Sequence, residues 1–155
     1  MIWENIKIGW SIGNPENPQD IVGLIGKGVC FDAGGLNIKG TGNIETMYMD
    51  KGGACTVLAA FRAIVETKMP VNIVTAVAFV ENLVGPDAVH PLDIIKSYKG
   101  LTVEIGNTDA EGRLILADAM TYTQLNYKTH TLIEFSTLTG AVGAAIVSSK
   151  LHKWP

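Results

Sequence analysis

The sequence predicts an α/β fold: a largely parallel (mixed) sheet covered by helices on both faces. Three observations carry that reading. Short runs rich in Val and Ile alternate with longer helical stretches along the 155 residues. The run at 71–80 is apolar throughout rather than alternating, as a strand buried on both faces is. A 47% hydrophobic content with mean hydropathy +0.24 supplies a sizeable core for one domain. That balance is apolar for a soluble monomer, so either the core is large for the surface or some surface is covered by another subunit or by further chain.

Residues 1–20 are mixed and turn-rich (Gly13-Asn14-Pro15, Asn17-Pro18) and read as an N-terminal lead-in. The apolar run 21–25 predicts a short buried strand, and 26–50 a long Gly-dense irregular segment, a kind of loop that is usually functional. Residues 53–65 are apolar nearly all round and predict a buried helix that Met69-Pro70 stops. After the 71–80 strand come a loop (81–91), a short helical turn (92–98) and a short strand (101–105). Residues 108–125 predict a helix with an inner stripe of Leu114, Ala117, Met120 or Thr121, and Gln124 or Leu125. A strand at 130–136 and a small-residue helix at 140–147 complete the domain, 21–147, ahead of a tail at 148–155.

Net charge is −3 and the 12 basic residues are scattered, which argues against a nucleic-acid footprint. Cys30 and Cys55 lack Cys-x-x-Cys spacing and read as buried free thiols in a reducing compartment. The uncharged stretches 69–80 and 135–149 are shorter than the ~18 apolar residues of a membrane span. The start MIWENIKIGW has no basic region leading into an apolar run, so no signal peptide is read there. The expectation is a cytoplasmic protein without nucleic-acid or membrane partners.

Chemistry concentrates in three places: Lys27, Asp32 and Lys39 after the first strand; Asp50 at the entry to the first helix; and Asn107-Thr108-Asp109-Ala110-Glu111-Gly112-Arg113 at the start of the next. All three fit the carboxyl ends of strands, where open α/β sheets build their sites. Four acids, Asp32, Asp50, Asp109 and Glu111, in one dry cleft would repel unless cations offset them, and carboxylates ligate divalent metals. Taken singly, each has an ordinary role as well. Thr108-x-x-Glu111 fits a capping box, Asp50 a helix cap, and Lys39 a solvated loop lysine. Gly26-Lys27-Gly28 lacks the spacing of a phosphate loop. His90, His130 and His152 read as structural or surface residues, and Glu81-Asn82 as either a loop or a support to the site.

The segments GKGVCFDAGGLNIK, MDKGGA, ENLVG, HPLDII, GNTDAEGRLILADA and STLTGA, in that order, resemble the leucine aminopeptidase (cytosol aminopeptidase) family. NTDAEGRL is that family's signature. The resemblance spans 26–140 and implies a partial aminopeptidase catalytic domain. It implies a tight metal site at Lys27, Asp32, Asp50 and Glu111, and an exchangeable one at Asp32, Asp109 and Glu111, with Asp32 and Glu111 bridging. Lys39 would polarise the scissile carbonyl, and Arg113 would hold a bicarbonate ion as general base. Asp50, Lys39 and the Leu138 carbonyl would contact a peptide with a free N-terminus. The implied cofactors are two divalent ions, zinc or manganese with cobalt and magnesium also suited, and the implied assembly is a homohexamer. The alternative is a non-catalytic or truncated structural subunit that keeps the metal-binding core.

Overall fold

The computed structural model describes residues 6–14, 16–143 and 145. Strands β1 (Ile6–Ile12) and β2 (Ile21–Asp32) precede helix α1 (Gly52–Glu66), which leads into β3 (Asn72–Asn82). A two-stranded ribbon of β4 (Ile94–Lys96) and β5 (Thr102–Glu104) follows, then α2 (Glu111–Tyr127) and β6 (Thr131–Phe135). The main sheet has the order β1-β3-β2-β6. Its β2–β3 and β2–β6 pairs are parallel and its β1–β3 pair antiparallel, so the sheet is mixed and mostly parallel, as the sequence predicts.

Side chains of β2 and β3 alternate between two cores because successive residues face opposite ways. Leu24, Ile73 and Val77 pack against Ala54 and Val57 of α1. Ile25, Val29, Ala76 and Ala78 pack against Ile115, Leu116 and Ala119 of α2 on the other face. The central strands are therefore apolar on both faces, which explains the unbroken run at 71–80. Ile25, Val29, Val57 and Val77 are fully buried, and each contributes about 2 kcal/mol by leaving water.

Alpha-helix α1 meets β2 and β6 at unusually short range. A Cβ on Gly53 would overlap the Phe135 carbonyl, and one on Gly26 would sit 2.7 Å from the Ala54 Cα. Gly53→Ala is therefore expected to destabilise the fold by about 2–3 kcal/mol through overpacking against backbone that cannot yield. Urea denaturation measures this, and a midpoint equal to the parent's would refute the close packing.

Several elements depart from the sequence reading. The expected lead-in contains β1, an edge strand whose alternation of Ile6 and Ile8 with Lys7 and Gly9 is masked by the turn residues after it. The expected irregular segment begins with seven more residues of β2, because the ladder with β3 runs on to Asp32 after the pairing with β6 ends at Gly26. The stretch 92–98 is centred on strand β4 (Ile94–Lys96) rather than on a helical turn, since pairing with β5 satisfies the backbone there. The 101–105 strand exists as β5, but in the ribbon and not in the main sheet.

Helix α1 is buried along one stripe only, with Leu58 and Cys55 exposed, so Cys55 is not a core thiol and Cys30 is half-buried. On α2 the buried residues are Gly112, Ile115, Leu116, Asp118, Ala119 and Thr123, one position out of phase with the expected stripe. Ala117 is exposed and Leu125 is 65% exposed. The reason lies at the buried polar positions. Asp118 accepts the Tyr98 N–H at 2.9 Å and Thr123 bonds the Ala119 carbonyl at 2.7 Å, so both are satisfied inside the core. Of the helix expected at 140–147, residues 140–143 and 145 are described, a turn at 140 followed by helical backbone, while 144, 146 and 147 and the tail at 148–155 lie outside the described residues, as do Trp3, His152 and Trp154.

Candidate metal centre

The site forms where β2 and β3 end and α2 begins. Lys27 points to the α2 face of the sheet with Ile25 and Val29, two residues to either side of it. Simple alternation would put Asp32 on the opposite face. A β-bulge between Val29 and Phe31 shifts the register, so that Phe31 pairs with Glu81 and Asp32 with Asn82. The one extra residue turns Asp32 back to the face of Lys27.

Beyond Asp32 the chain reverses through Gly34 (φ 91°) and Gly35 (φ 64°), a conformation open to glycine and costly for other residues. The reversal is stapled by Thr108, whose hydroxyl donates to the Gly34 carbonyl at 2.7 Å and accepts the Asn37 N–H at 2.8 Å. The Asn37 side chain in turn accepts the Thr108 N–H at 2.8 Å. Lys39 is carried over the strand ends by this loop, with its N–H on the Ala33 carbonyl.

Thr108 is thus a loop anchor and not a capping-box residue. The cap of the 3-10 turn Thr108–Ala110 is Asn107, which accepts the Asp109 N–H at 2.9 Å. Asp50 ends a 3-10 segment, Ile44–Met49, and does not cap α1 with its side chain.

Freed of capping, the acids converge on two lysines. The buried Lys27 ammonium lies 2.7 Å from Asp50 Oδ2 and 2.9 Å from Glu111 Oε1. The Lys39 ammonium lies 2.8 Å from Asp32 Oδ2 and also contacts Asp109 Oδ1. Thr137, just past β6, donates to Asp50 Oδ1 at 2.6 Å, and its carbonyl accepts from Lys27 at 3.4 Å. Gly112 leaves the space Lys27 needs, because a Cβ there would stand 2.7 Å from the lysine Cε and 2.9 Å from Leu138 Cδ1.

Burial disfavours the Lys27 ammonium, but Asp50 and Glu111 outweigh it and hold the lysine above its ordinary pKa. Lys39 behaves alike: burial opposes its charge, while Asp109 and Asp32 raise it overall. Burial also opposes the Asp32 carboxylate, yet Lys39, Asn82 and the Gly34 N–H bring it below the usual range. At Glu111 burial wins: its pKa is raised despite Lys27, with Asp32 adding repulsion. Each lysine meets two carboxylates, so the cluster keeps an excess of negative charge.

The donor set fits divalent cations. Asp32, Asp109 and Glu111 each offer a carboxylate oxygen, and these oxygens all lie within 4.8 Å of one another. Asp50 Oδ2 and Glu111 Oε1 are buried without a hydrogen bond, meeting Lys27 at ion-pair distance but in poor hydrogen-bond directions. Hard oxygen donors with free lone pairs and surplus negative charge are what such ions take. The site also reaches solvent, since a cavity of about 1230 Å³ opens beside Asn82, Thr108 and Glu111.

Of the residues singled out in the sequence, Lys27, Asp32, Lys39, Asp50, Asp109 and Glu111 come together. Leu138 lies against Gly112 at the rim. Arg113 is exposed, two residues past Glu111 and so off that residue's face of the helix, and no hydrogen bond or ion pair holds it among the described residues. Sequence reasoning left Thr137 and Asn37 without a role and Asn82 undecided. A polar pair ending an apolar strand, Glu81-Asn82, was the one signal available for the last of these.

Comparisons with known proteins bear on the family and the fold. The sequence profile described as the cytosol aminopeptidase family, catalytic domain, matches residues 5–151. A probable cytosol aminopeptidase of Alcanivorax borkumensis is 44% identical over 134 residues, covering 86% of this chain and 27% of that protein. The leucine aminopeptidase structure from Caenorhabditis elegans superposes with a TM-score of 0.82 at 41% identity, over 90% of this chain and 28% of that one. A leucyl aminopeptidase from Trypanosoma brucei, solved with bestatin, gives a TM-score of 0.82 at 36% identity, over 90% and 27%. The chain therefore spans little more than a quarter of the length of these relatives. With its α/β sheet, its acidic cluster and these matches, the chain belongs to the cytosol aminopeptidase family, within its catalytic domain.

Proposed function

We propose that the protein acts as a metal-dependent, leucyl-type aminopeptidase on the N-terminal bond of peptides. The observation that carries the proposal is the convergence of four carboxylates and two lysines from three separate segments around one solvent-reached cluster. Asp32, Asp50 and Glu111 would hold one divalent ion, joined by Lys27 as a neutral amine once the charge of the ion lowers its pKa and drives off its proton, and Asp32, Asp109 and Glu111 would hold a second. Zinc and manganese suit these donors, as do cobalt and magnesium. When bound, such a pair supplies an acidified water and positive charge against the developing oxyanion.

The chain's own residues supply the rest. Asp50, oriented by Thr137, presents a carboxylate to the free amine of the substrate, which accounts for a requirement for an unblocked N-terminus. Lys39, which pairs with Asp32 and Asp109 in the metal-free protein, would be free to donate toward the scissile carbonyl oxygen where those two acids hold a metal instead. Arg113 has an unengaged planar fork that suits a bicarbonate ion as general base. Leu138 borders the same rim with its side chain, and its main-chain carbonyl would contact the peptide. A hexameric, cytoplasmic protein belongs to the same proposal. Among the described residues no helix is long and apolar enough to cross a membrane.

The test is hydrolysis of leucine amide with added zinc or manganese, beside an Asp109→Ala, Glu111→Ala double variant and an N-acetylated substrate. Turnover is expected with the parent only, and only on the free amine. Cleavage that survives the double substitution would refute the assignment. Metal binding without turnover would favour the alternative, a structural subunit that retains the metal-binding core.

A further inference from the structure

We infer that Asn82 is a positioning residue of the metal centre, sorting the carboxylate oxygens of Asp32 and Glu111 between protein donors and cations; this rests on the two-metal reading above. Its Nδ2 lies 2.9 Å from Asp32 Oδ1, 2.9 Å from the Thr108 carbonyl and 3.4 Å from Glu111 Oε2. Three acceptors around one atom fix the orientation of the amide, since an oxygen there would face three other oxygens. The two N–H groups serve the two short contacts, and Glu111 shares one of them. The Asn82 Oδ1 is turned to Gly35, where a Cβ would come within 2.9 Å, so the side chain is a donor to the cluster and not a ligand in it.

The sorting follows from which oxygens are taken. Asp32 Oδ1 accepts from Asn82 and from the Gly34 N–H at 3.0 Å, leaving Oδ2 to face the Lys39 ammonium. Glu111 Oε2 faces Asn82, leaving Oε1 to face Lys27. The Thr108 carbonyl opens the turn that carries Asp109, so one amide touches the end of β2, the 3-10 turn and the first residue of α2. Asn82 is itself held as the register partner of Asp32, and its carbonyl accepts the Ala33 N–H at 2.8 Å. It is uncharged, so it orients two anions without neutralising them. A lysine in its place would compete with the metal, and an aspartate would repel both acids.

Groups that orient metal ligands typically set affinity by ten- to hundredfold. The test is cobalt binding to the purified protein, followed by its visible absorption band and by competition with a chromophoric chelator, for the parent and for Asn82→Ala. The expected result is a dissociation constant about ten- to hundredfold weaker, with a changed band position or intensity. Should the alanine variant not fold, the near-isosteric Asn82→Asp is read by the same band, which is expected to change. A variant that loses stability in metal-free buffer but keeps the parent's band and affinity would overturn the inference and leave Asn82 a strand-end anchor. If the variant matches the parent while the parent binds cobalt and turns over, the inference fails alone. If the parent binds no cobalt, the two-metal reading fails and this inference with it.

Discussion

Lys27→Met is expected to destabilise the metal-free protein by about 3–5 kcal/mol, the usual effect of removing one partner from a buried ion pair. The ammonium is 3% exposed and sits between Asp50 and Glu111, which are 5% and 12% exposed. Methionine keeps the length and the apolar stem but leaves both acids without their countercharge.

The pH dependence separates this cause from simple repacking. Lys27 has a raised pKa in the folded protein, so its stabilisation is complete below the ordinary lysine value and is lost as pH rises through the folded one. Asp32 has a lowered pKa, so its contribution is present above the ordinary aspartate value and is lost as pH falls through the folded one. Glu111 is already raised by burial, and losing Lys27 pushes it further up. The folded variant then binds more protons than its unfolded chain, so its stability should rise as pH falls from neutrality toward the ordinary glutamate value. Urea denaturation in chelator-treated buffer at those two pH values measures both effects. A variant as stable as the parent, or equally unstable at both, would contradict the charge argument.

Lys39→Met is expected to move two observables in opposite directions. In the metal-free protein the Lys39 ammonium pairs with Asp32 and Asp109, two of the three acids whose oxygens cluster for a cation. A divalent ion has to displace it from there. A hydrogen bond between charged groups contributes about 1.5–3 kcal/mol, and 1.4 kcal/mol is tenfold in affinity. Methionine should therefore tighten metal binding about tenfold or more. Turnover should fall about 10²–10³-fold, as when one donor to a developing oxyanion is removed. Chelator competition and leucine amide hydrolysis give the two numbers. Weaker metal binding would mean that Lys39 does not compete for the ion's position, and unchanged turnover would remove it from the chemistry.

The alternation of apolar strands with helices, the unbroken run of β3 and the six charged residues of the cluster were all legible in the sequence. Each is a statement about residue type and spacing, and burial on both faces or a surplus of acids leaves a local mark. Tertiary structure alone decided the rest. Asp32 faces Lys27 because of a one-residue bulge beside Cys30, and no side chain announces a bulge. Edge strand β1 and strand β4 exist because backbone groups elsewhere in the chain pair with them, while their local sequence looks like loop or turn. The α2 stripe lies one position from its expected place because Asp118 and Thr123 find partners inside, and a hydropathy pattern counts such residues as surface. Asn82 and Thr137 gained their roles only when strand ends far apart in the chain met Asp32, Glu111 and Asp50. Residue chemistry is written locally, but which oxygen faces which cation depends on register and on turns, and those are set by contacts made across the whole sheet.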